Sequence, residues 1–254
     1  EVQSVEEAPN NAPLQTRWSD EDLFKKPSLG DECPICMLTL PFDEGETTYF
    51  SCCGKVICSG CVHAHRTADN RGLCPFCRTP ASTSDEEYIE RLKKRAEGDG
   101  DAAAIYNLGC YYSDGTVGSR RNMRKAHKLW LRAGELGDAR AYNSIGYAYD
   151  NGEGVVRDMN KAKYYYEVAA MMGNVRARHN LGGVEGNAGN YDRAVKHYMI
   201  AAGAGYDKSL NEIRQLFLSG HATKDDFEKA LRAHKEAKDE MKSDQREAAA
   251  AFCD

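Results

Sequence analysis

The sequence predicts a mainly α chain, an α-solenoid of helical-hairpin repeats with a small cysteine-rich α+β module at its N-terminal end. Three observations predict it. Eight of the ten cysteines fall between residues 33 and 77. From residue 104 onward one segment recurs, as AIYNLG at 104–109, AYNSIG at 141–146, ARHNLG at 177–182 and, more faintly, SLNEIR at 209–214, at spacings of 37, 36 and 32 residues. A second pattern follows each copy: KAHKLWLRAGELG from Lys125, KAKYYYEVAAMMG from Lys161, RAVKHYMIAAGAG from Arg193 and KALRAHKEA from Lys229. Two helices in every ~36 residues mark a stacked array of helical hairpins.

The chain begins at Glu1 rather than methionine, which suggests a fragment of a longer product. Residues 1–17 are polar and proline-containing and are expected to be disordered. Residues 18–30 open with WSDEDLF, where Ser19 and Asp22 have capping-box spacing and Trp18 faces Leu23 at staple spacing. A short helix leaning on the cysteine module is expected there, with a peptide docking motif as the alternative.

The cysteine module occupies residues 31–80. Cys33/Cys36, Cys58/Cys61 and Cys74/Cys77 are three C-x2-C pairs, and two cysteines so spaced reach one ion from a single tight turn. Cys52 and Cys53 supply what two closed four-ligand sites still need. His63 and His65 are alternative ligands in place of one of that adjacent pair. A disulfide framework fits poorly, since Cys110 and Cys253 lie far away and no signal peptide is visible. The cysteine usage favours a reducing, intracellular setting, cytoplasmic or nuclear. Sites closed by four protein ligands are structural rather than catalytic, so two structural Zn²⁺ ions are expected, and strong chelation should unfold the module.

C-P-I-C, fifteen residues, C-C, four residues, C-x2-C, twelve residues and C-P-F-C resemble a RING finger. The usual RING has histidine in a CGHxFC context, whereas this chain reads CCGKVIC with Lys55 at the histidine position, so the likeness is to the all-cysteine variant. A PHD finger fits less well, because its histidine and tryptophan positions hold Cys58 and Gly72. The resemblance implies a cross-brace in which Cys33, Cys36, Cys58 and Cys61 share one zinc, and Cys52, Cys53, Cys74 and Cys77 share the other. It also implies recruitment of a ubiquitin-conjugating enzyme carrying ubiquitin. Ile35 matches the apolar contact inside the first pair, Pro75 the second-loop proline, and Arg78 the cationic residue that bridges conjugating enzyme and ubiquitin. A planar guanidinium with five donors suits that bridge. Each has a plainer reading: Ile35 covering the metal, Pro75 shaping the turn, Arg78 offsetting thiolate charge. His65 stands where many active RINGs carry tryptophan.

Residues 85–98 continue the repeat register backwards, with Leu92 and Ala96 where Leu129 and Ala133 stand later, and are expected to form a capping helix. The repeats then run over 101–137, 138–173, 174–205 and, degenerate, 206–240. Small and aromatic positions recur at i, i+4 and i+7/8, placing small residues on one face where helices approach closely. Asn122, Asp158 and Asn190 precede the recurring alanine by four residues, as caps for the second helix, and Gly137, Gly173 and Gly205 close it. One such unit cannot bury its apolar face alone, so stacking supplies the core. The second unit reads Ile145-Gly146, Tyr149, Gly152, Gly154-Val155, Asp158, Lys161-Ala162, Ala169-Ala170 and Gly173. That pattern is similar to the SEL-like repeat, a relative of the tetratricopeptide repeat, which implies a surface that binds proteins and implies no catalysis. Beyond about residue 225 the chain reads as one long charged helix, its 241–254 extension a solvated cap or a dimer contact.

The remainder bounds the function. With 254 residues, 41% of them hydrophobic, and a mean hydropathy of −0.66, the chain is a two-module protein rather than one large core. No apolar stretch is long enough to cross a bilayer. A net charge of −5 gives no electrostatic case for nucleic acid, and RLKKR at 91–95 reads as the polar face of the capping helix rather than a nuclear-localisation signal. Cys110 is expected in the repeat core and Cys253 as an inert tail thiol. No catalytic residue is assigned. Two functions remain: a RING-type ubiquitin ligase that binds substrate or partners on its repeats, and a non-catalytic zinc-binding scaffold that assembles proteins on the same surface.

Overall fold

The computed structural model describes residues 18–25, 31–42, 44–69, 71–98, 100–115 and 121–253. The expected disorder of residues 1–17 lies outside this set. The cysteine module holds the hairpin β1 (Thr47–Phe50) and β2 (Lys55–Cys58), antiparallel with Thr47 opposite Cys58 and Phe50 opposite Lys55. Helix α2 (Ser59–Ala68) follows directly. Ile57, Val62 and the buried cysteines form its small core, closed by Leu40 and Phe50.

The helices α3 (Asp85–Gly98), α4 (Ala102–Asp114), α5 (Met123–Glu135), α6 (Ala139–Asn151), α7 (Met159–Met171), α8 (Val175–Asn187), α9 (Tyr191–Ala202), α10 (Asp207–Leu218) and α11 (Lys224–Met241) stack as the repeat pattern predicts. Asn122 accepts from the Lys125 amide at 3.0 Å and Asp158 from the Lys161 amide at 3.1 Å, holding the start of α5 and α7. Asn190 departs from the expectation: it precedes α9 but makes no cap bond. Its amide donates instead to the buried Glu185 carboxylate at 2.8 Å, a charge-assisted bond stronger than the cap it replaces. Gly137, Gly173 and Gly205 all adopt positive φ, as expected of helix terminators.

Close approach of helices rests on one recurring glycine. A Cβ on Gly146 would lie 2.6 Å from the Tyr166 ring, and the equivalent atoms on Gly109 and Gly182 would meet Trp130 at 2.5 Å and Tyr198 at 2.6 Å. The first helix of each of the first three hairpins thus gives up a side chain where the second inserts an aromatic ring. Leu92 and Ala96 of α3 join the core of the first repeat. Cys110 packs at the edge of that core.

Two expectations are corrected. The C-terminal stretch is not one continuous helix. Lys242 turns to extended geometry (φ −70°, ψ 143°), and the Ser243 hydroxyl accepts from the Arg246 amide at 3.2 Å, starting α12 (Asp244–Cys253). That helix is neither a solvated cap nor, among the described residues, a free face: it packs on α2 of the cysteine module. The short helix α1 (Asp20–Leu23) forms with Ser19 as its cap, but it leans on the repeats rather than on the cysteine module, meeting α7 and side chains of α8 and α9. Leu23 is the reason: its apolar side chain is buried against the stack.

The cysteine module therefore lies against the solenoid at both ends. Tyr49 of β1 donates to the Asp101 carboxylate at 3.0 Å, which also takes a 2.7 Å bond from Arg95. At the other end, Pro41, Phe42 and Glu46 face Tyr206, Asp207, Lys238 and Met241 across a shallow pocket. No helix among the described residues is long and apolar enough to cross a membrane.

Candidate metal centres

The eight cysteines gather into two groups, Cys33, Cys36, Cys58 and Cys61, and Cys52, Cys53, Cys74 and Cys77, the four sulfurs of each lying within 4.8 Å of one another. The order along the chain is interleaved, as a cross-brace requires. Cys36 and Cys58 sulfurs are 3.8 Å apart, as are those of Cys53 and Cys74, and Cys52 and Cys77 approach to 3.4 Å. Zinc–sulfur bonds of ~2.3 Å at tetrahedral angles put ligand sulfurs ~3.8 Å apart. The donor sets are those of a metal that favours thiolates, so each group is suited to hold one ion. Neither His63 nor His65 belongs to either group.

Local backbone explains the gathering. In the first pair the Cys33 amide donates to Leu38 and the Met37 amide to Cys33, both at 2.9 Å. In the third pair Cys74 donates to Thr79 at 2.8 Å and Arg78 to Cys74 at 2.9 Å. The two loops are therefore the same turn used twice, and each closes with a non-glycine residue at φ +60°, Met37 and Arg78. That left-handed geometry is uncommon for such side chains, and it is imposed where four sulfurs converge. Cys52 and Cys53 sit in the turn between β1 and β2, where the Cys53 and Gly54 amides both donate to the Phe50 carbonyl.

Without a cation the four thiols of a group compete for charge. Burial raises Cys33, yet amides of Cys36, Cys58 and Ile35 bring it down to about 7. Burial likewise opposes Cys77, which Thr79 and neighbouring thiols bring to about 6. Burial and crowding push Cys53 up to about 11, and Cys52 and Cys61 are pushed up further for the same reason. A dication reverses this competition by stabilising all four thiolates together.

The residues singled out for partner contact stay accessible. Ile35 is 42% exposed, Arg78 is exposed and Pro75 half-buried. Sequence reasoning passed over Phe76, 47% exposed, although CPFC repeats CPIC and places Phe76 where Ile35 stands. It also missed α12, whose Arg246 guanidinium reaches the Cys36 sulfur at 3.9 Å and whose Gln245 lies 3.8 Å from that of Cys61. The serine and acidic residues at 243–247 were the available signal for a separate helix there.

Fold and site together define a Sel1-repeat protein with a RING-like cysteine module. Residues 102–138 and 139–174 match the Sel1 repeat family. The crystal structure of a Sel1 repeat protein from Oxalobacter formigenes is similar at a TM-score of 0.56 and 30% identity, over 63% of this chain and 67% of that one. The crystal structure of c5321, a protective antigen of uropathogenic Escherichia coli strains displaying an SLR fold, is similar at 0.51 and 31% identity, over 61% and 33%. The chain belongs to the Sel1-repeat proteins. It is also 31% identical over 83 residues to the E3 ubiquitin-protein ligase RNF181 of Rattus norvegicus, a match covering 32% of this chain and 48% of that protein. The match thus spans about half the length of that curated relative.

Proposed function

We propose that this protein is a RING-type ubiquitin-protein ligase. Its cysteine module recruits a ubiquitin-conjugating enzyme, and its helical repeats bind the substrate or a partner. The observation that carries the reading is the interleaved pair of four-thiol groups, whose two matching turns leave Ile35, Phe76 and Arg78 facing outward. Cys33, Cys36, Cys58 and Cys61 would hold one structural Zn²⁺, and Cys52, Cys53, Cys74 and Cys77 the second. Zinc supplies only cross-linking of the two turns. Ile35 and Phe76 offer apolar contact to the conjugating enzyme, Pro75 stiffens the second turn, and the Arg78 guanidinium donates to carbonyls of both enzyme and ubiquitin. The reading implies an intracellular, cytoplasmic or nuclear setting, where reducing conditions keep eight thiols available to metal.

Ubiquitin discharge from a panel of conjugating enzymes tests it. Ile35→Ala and Arg78→Ala should each slow discharge by about tenfold or more, tenfold being ~1.4 kcal/mol of lost interaction, with two zinc ions retained. Arg78→Gly serves as the control, since glycine accepts the +60° φ without strain and removes only the guanidinium. Absence of discharge with every conjugating enzyme would leave the second reading, a zinc-dependent scaffold without ubiquitin transfer, which His65 at the usual tryptophan position favours.

A further inference from the structure

Segment 20–24 is seated on a surface more than 150 residues away in the chain. The Leu23 side chain is 1% exposed, and its carbonyl accepts from the Arg178 guanidinium. The Asp20 carboxylate pairs with Arg193. The Phe24 ring stands 4.8 Å from the His197 imidazole, with the Arg193 and Lys196 cations each 5.2 Å from its centre.

The repeat register makes this surface unlike its equivalents. In the first two repeats the matching positions hold Ile105 and Tyr142, Tyr112 and Tyr149, Leu129 and Tyr165; in the third they hold Arg178, Glu185 and His197. Three apolar or aromatic positions have become ionisable ones, and all three are almost fully buried, at 2%, 1% and 0% exposure. Glu185 is satisfied by Lys163 at 2.8 Å, Arg193 at 3.0 Å and Asn190. His197 is not: both ring nitrogens lack a hydrogen-bond partner, as does Glu167 Oε1 beside this cluster. Buried polar atoms are costly unless paired, and the segment meets the His197 imidazole through the Phe24 ring.

We propose that the α8–α9 surface is a docking site for a short acidic segment ending in leucine and an aromatic residue. Asp20–Phe24 occupies it within the chain, and a partner protein bearing the same chemistry displaces that segment. Asp20 complements Arg193 and Lys196, and Arg178 donates to the Leu23 carbonyl. The internal hold is slight: α1 has four residues, the Asp20 side chain is 65% exposed, and only Leu23 of the segment is fully buried. Tethering, rather than contact area, keeps it in place. The inference names the partner chemistry for the repeats and stands without ubiquitin transfer.

The test measures anisotropy of a fluorescent peptide of residues 18–25 on the full chain. The triple variant Asp20→Ala/Leu23→Ala/Phe24→Ala, with its own segment disabled, should bind the peptide about tenfold or more tighter than wild type, because the site is no longer masked. Peptides carrying Leu23→Ala, or with Asp20, Glu21 and Asp22 neutralised to amides, should bind at least about tenfold more weakly. Arg178 is buried and its replacement risks the fold. Arg193→Ala and the exposed Lys196→Ala, added to the triple variant, therefore carry the receptor side of the test and should weaken binding. Equal affinity of wild type and triple variant, or indifference to the leucine and acids, would overturn the proposal. So would a concentration-dependent dimer lost in the triple variant, which would assign the site to a second copy.

Discussion

Adjacent residues on an extended strand point to opposite faces, yet Cys52 and Cys53 both enter one four-sulfur group. The turn between β1 and β2 resolves this, since it bends the backbone between the two residues. If each four-thiol group holds one zinc as proposed, Cys52→Ser and Cys53→Ser should each lower bound zinc from two ions per chain to one, while His65→Ala retains two, read by metal analysis of the purified protein. Residue chemistry also sets an acid limit on the repeats. Burial first, then the positive charge of Arg178, holds His197 down at about 3, against ~6.5 for an exposed imidazole. Arg193 and Lys163 push the same way, and Glu185 opposes them. Between those values the unfolded chain binds the proton and the folded one does not, so stability is complete above pH ~6.5 and falls as pH drops towards 3. Glu185 is held at about 2, its own burial outweighed by Lys163, Asn190 and Arg193, so its loss begins only below ~4.3. Urea unfolding between pH 7 and 5 should therefore show a shallower acid slope for His197→Leu. Some slope remains, because burial also pushes His127 and His179 down.

At the scale of the element, the hairpins depend on the glycine that receives an aromatic ring. Gly146→Ala would put a Cβ 2.6 Å from the Tyr166 ring, and overpacking of this kind costs ~1–3 kcal/mol. Chemical denaturation should show that loss, and Tyr166→Leu should recover part of it in the double variant, a non-additivity expected only for groups in contact. The hairpins were legible in the sequence because each repeats a local pattern: cap, small residue, aromatic, glycine. The eight ligands were legible for the same reason, their C-x2-C spacing being local. What escaped was set at long range. The capping serine at position 19 announces a helix but says nothing about the Arg178 side chain that receives it. The helix propensity of 224–253 likewise masks the break at Lys242, which no proline or glycine marks; the Ser243 cap signals a new helix but not the module that α12 reaches.

Across the whole molecule, that break returns the last helix to the first module. Arg246 lies against the Cys36 sulfur and is itself held charged by the Cys58 and Cys36 thiols, which outweigh its burial. A Cβ on Gly60 of α2 would stand 2.7 Å from the Arg246 backbone nitrogen, so the two helices touch through main chain. A cation beside a four-thiolate centre offsets the two negative charges left after zinc binds, and loss of such a partner typically lowers metal affinity ~10–100-fold. Arg246→Ala should accordingly release one of the two zinc ions to a competing chelator about tenfold more readily than wild type, the other ion being unaffected. Gly60→Val, which forces α12 away without removing the arginine, should reproduce the effect and raise amide exchange in both α2 and α12. Full chelation should unfold the cysteine module, because its core is made largely of the ligands themselves. The repeats have their own cores and should keep their helical circular dichroism. If both variants held zinc as tightly as wild type, α12 would be packing on the module without supporting its metal.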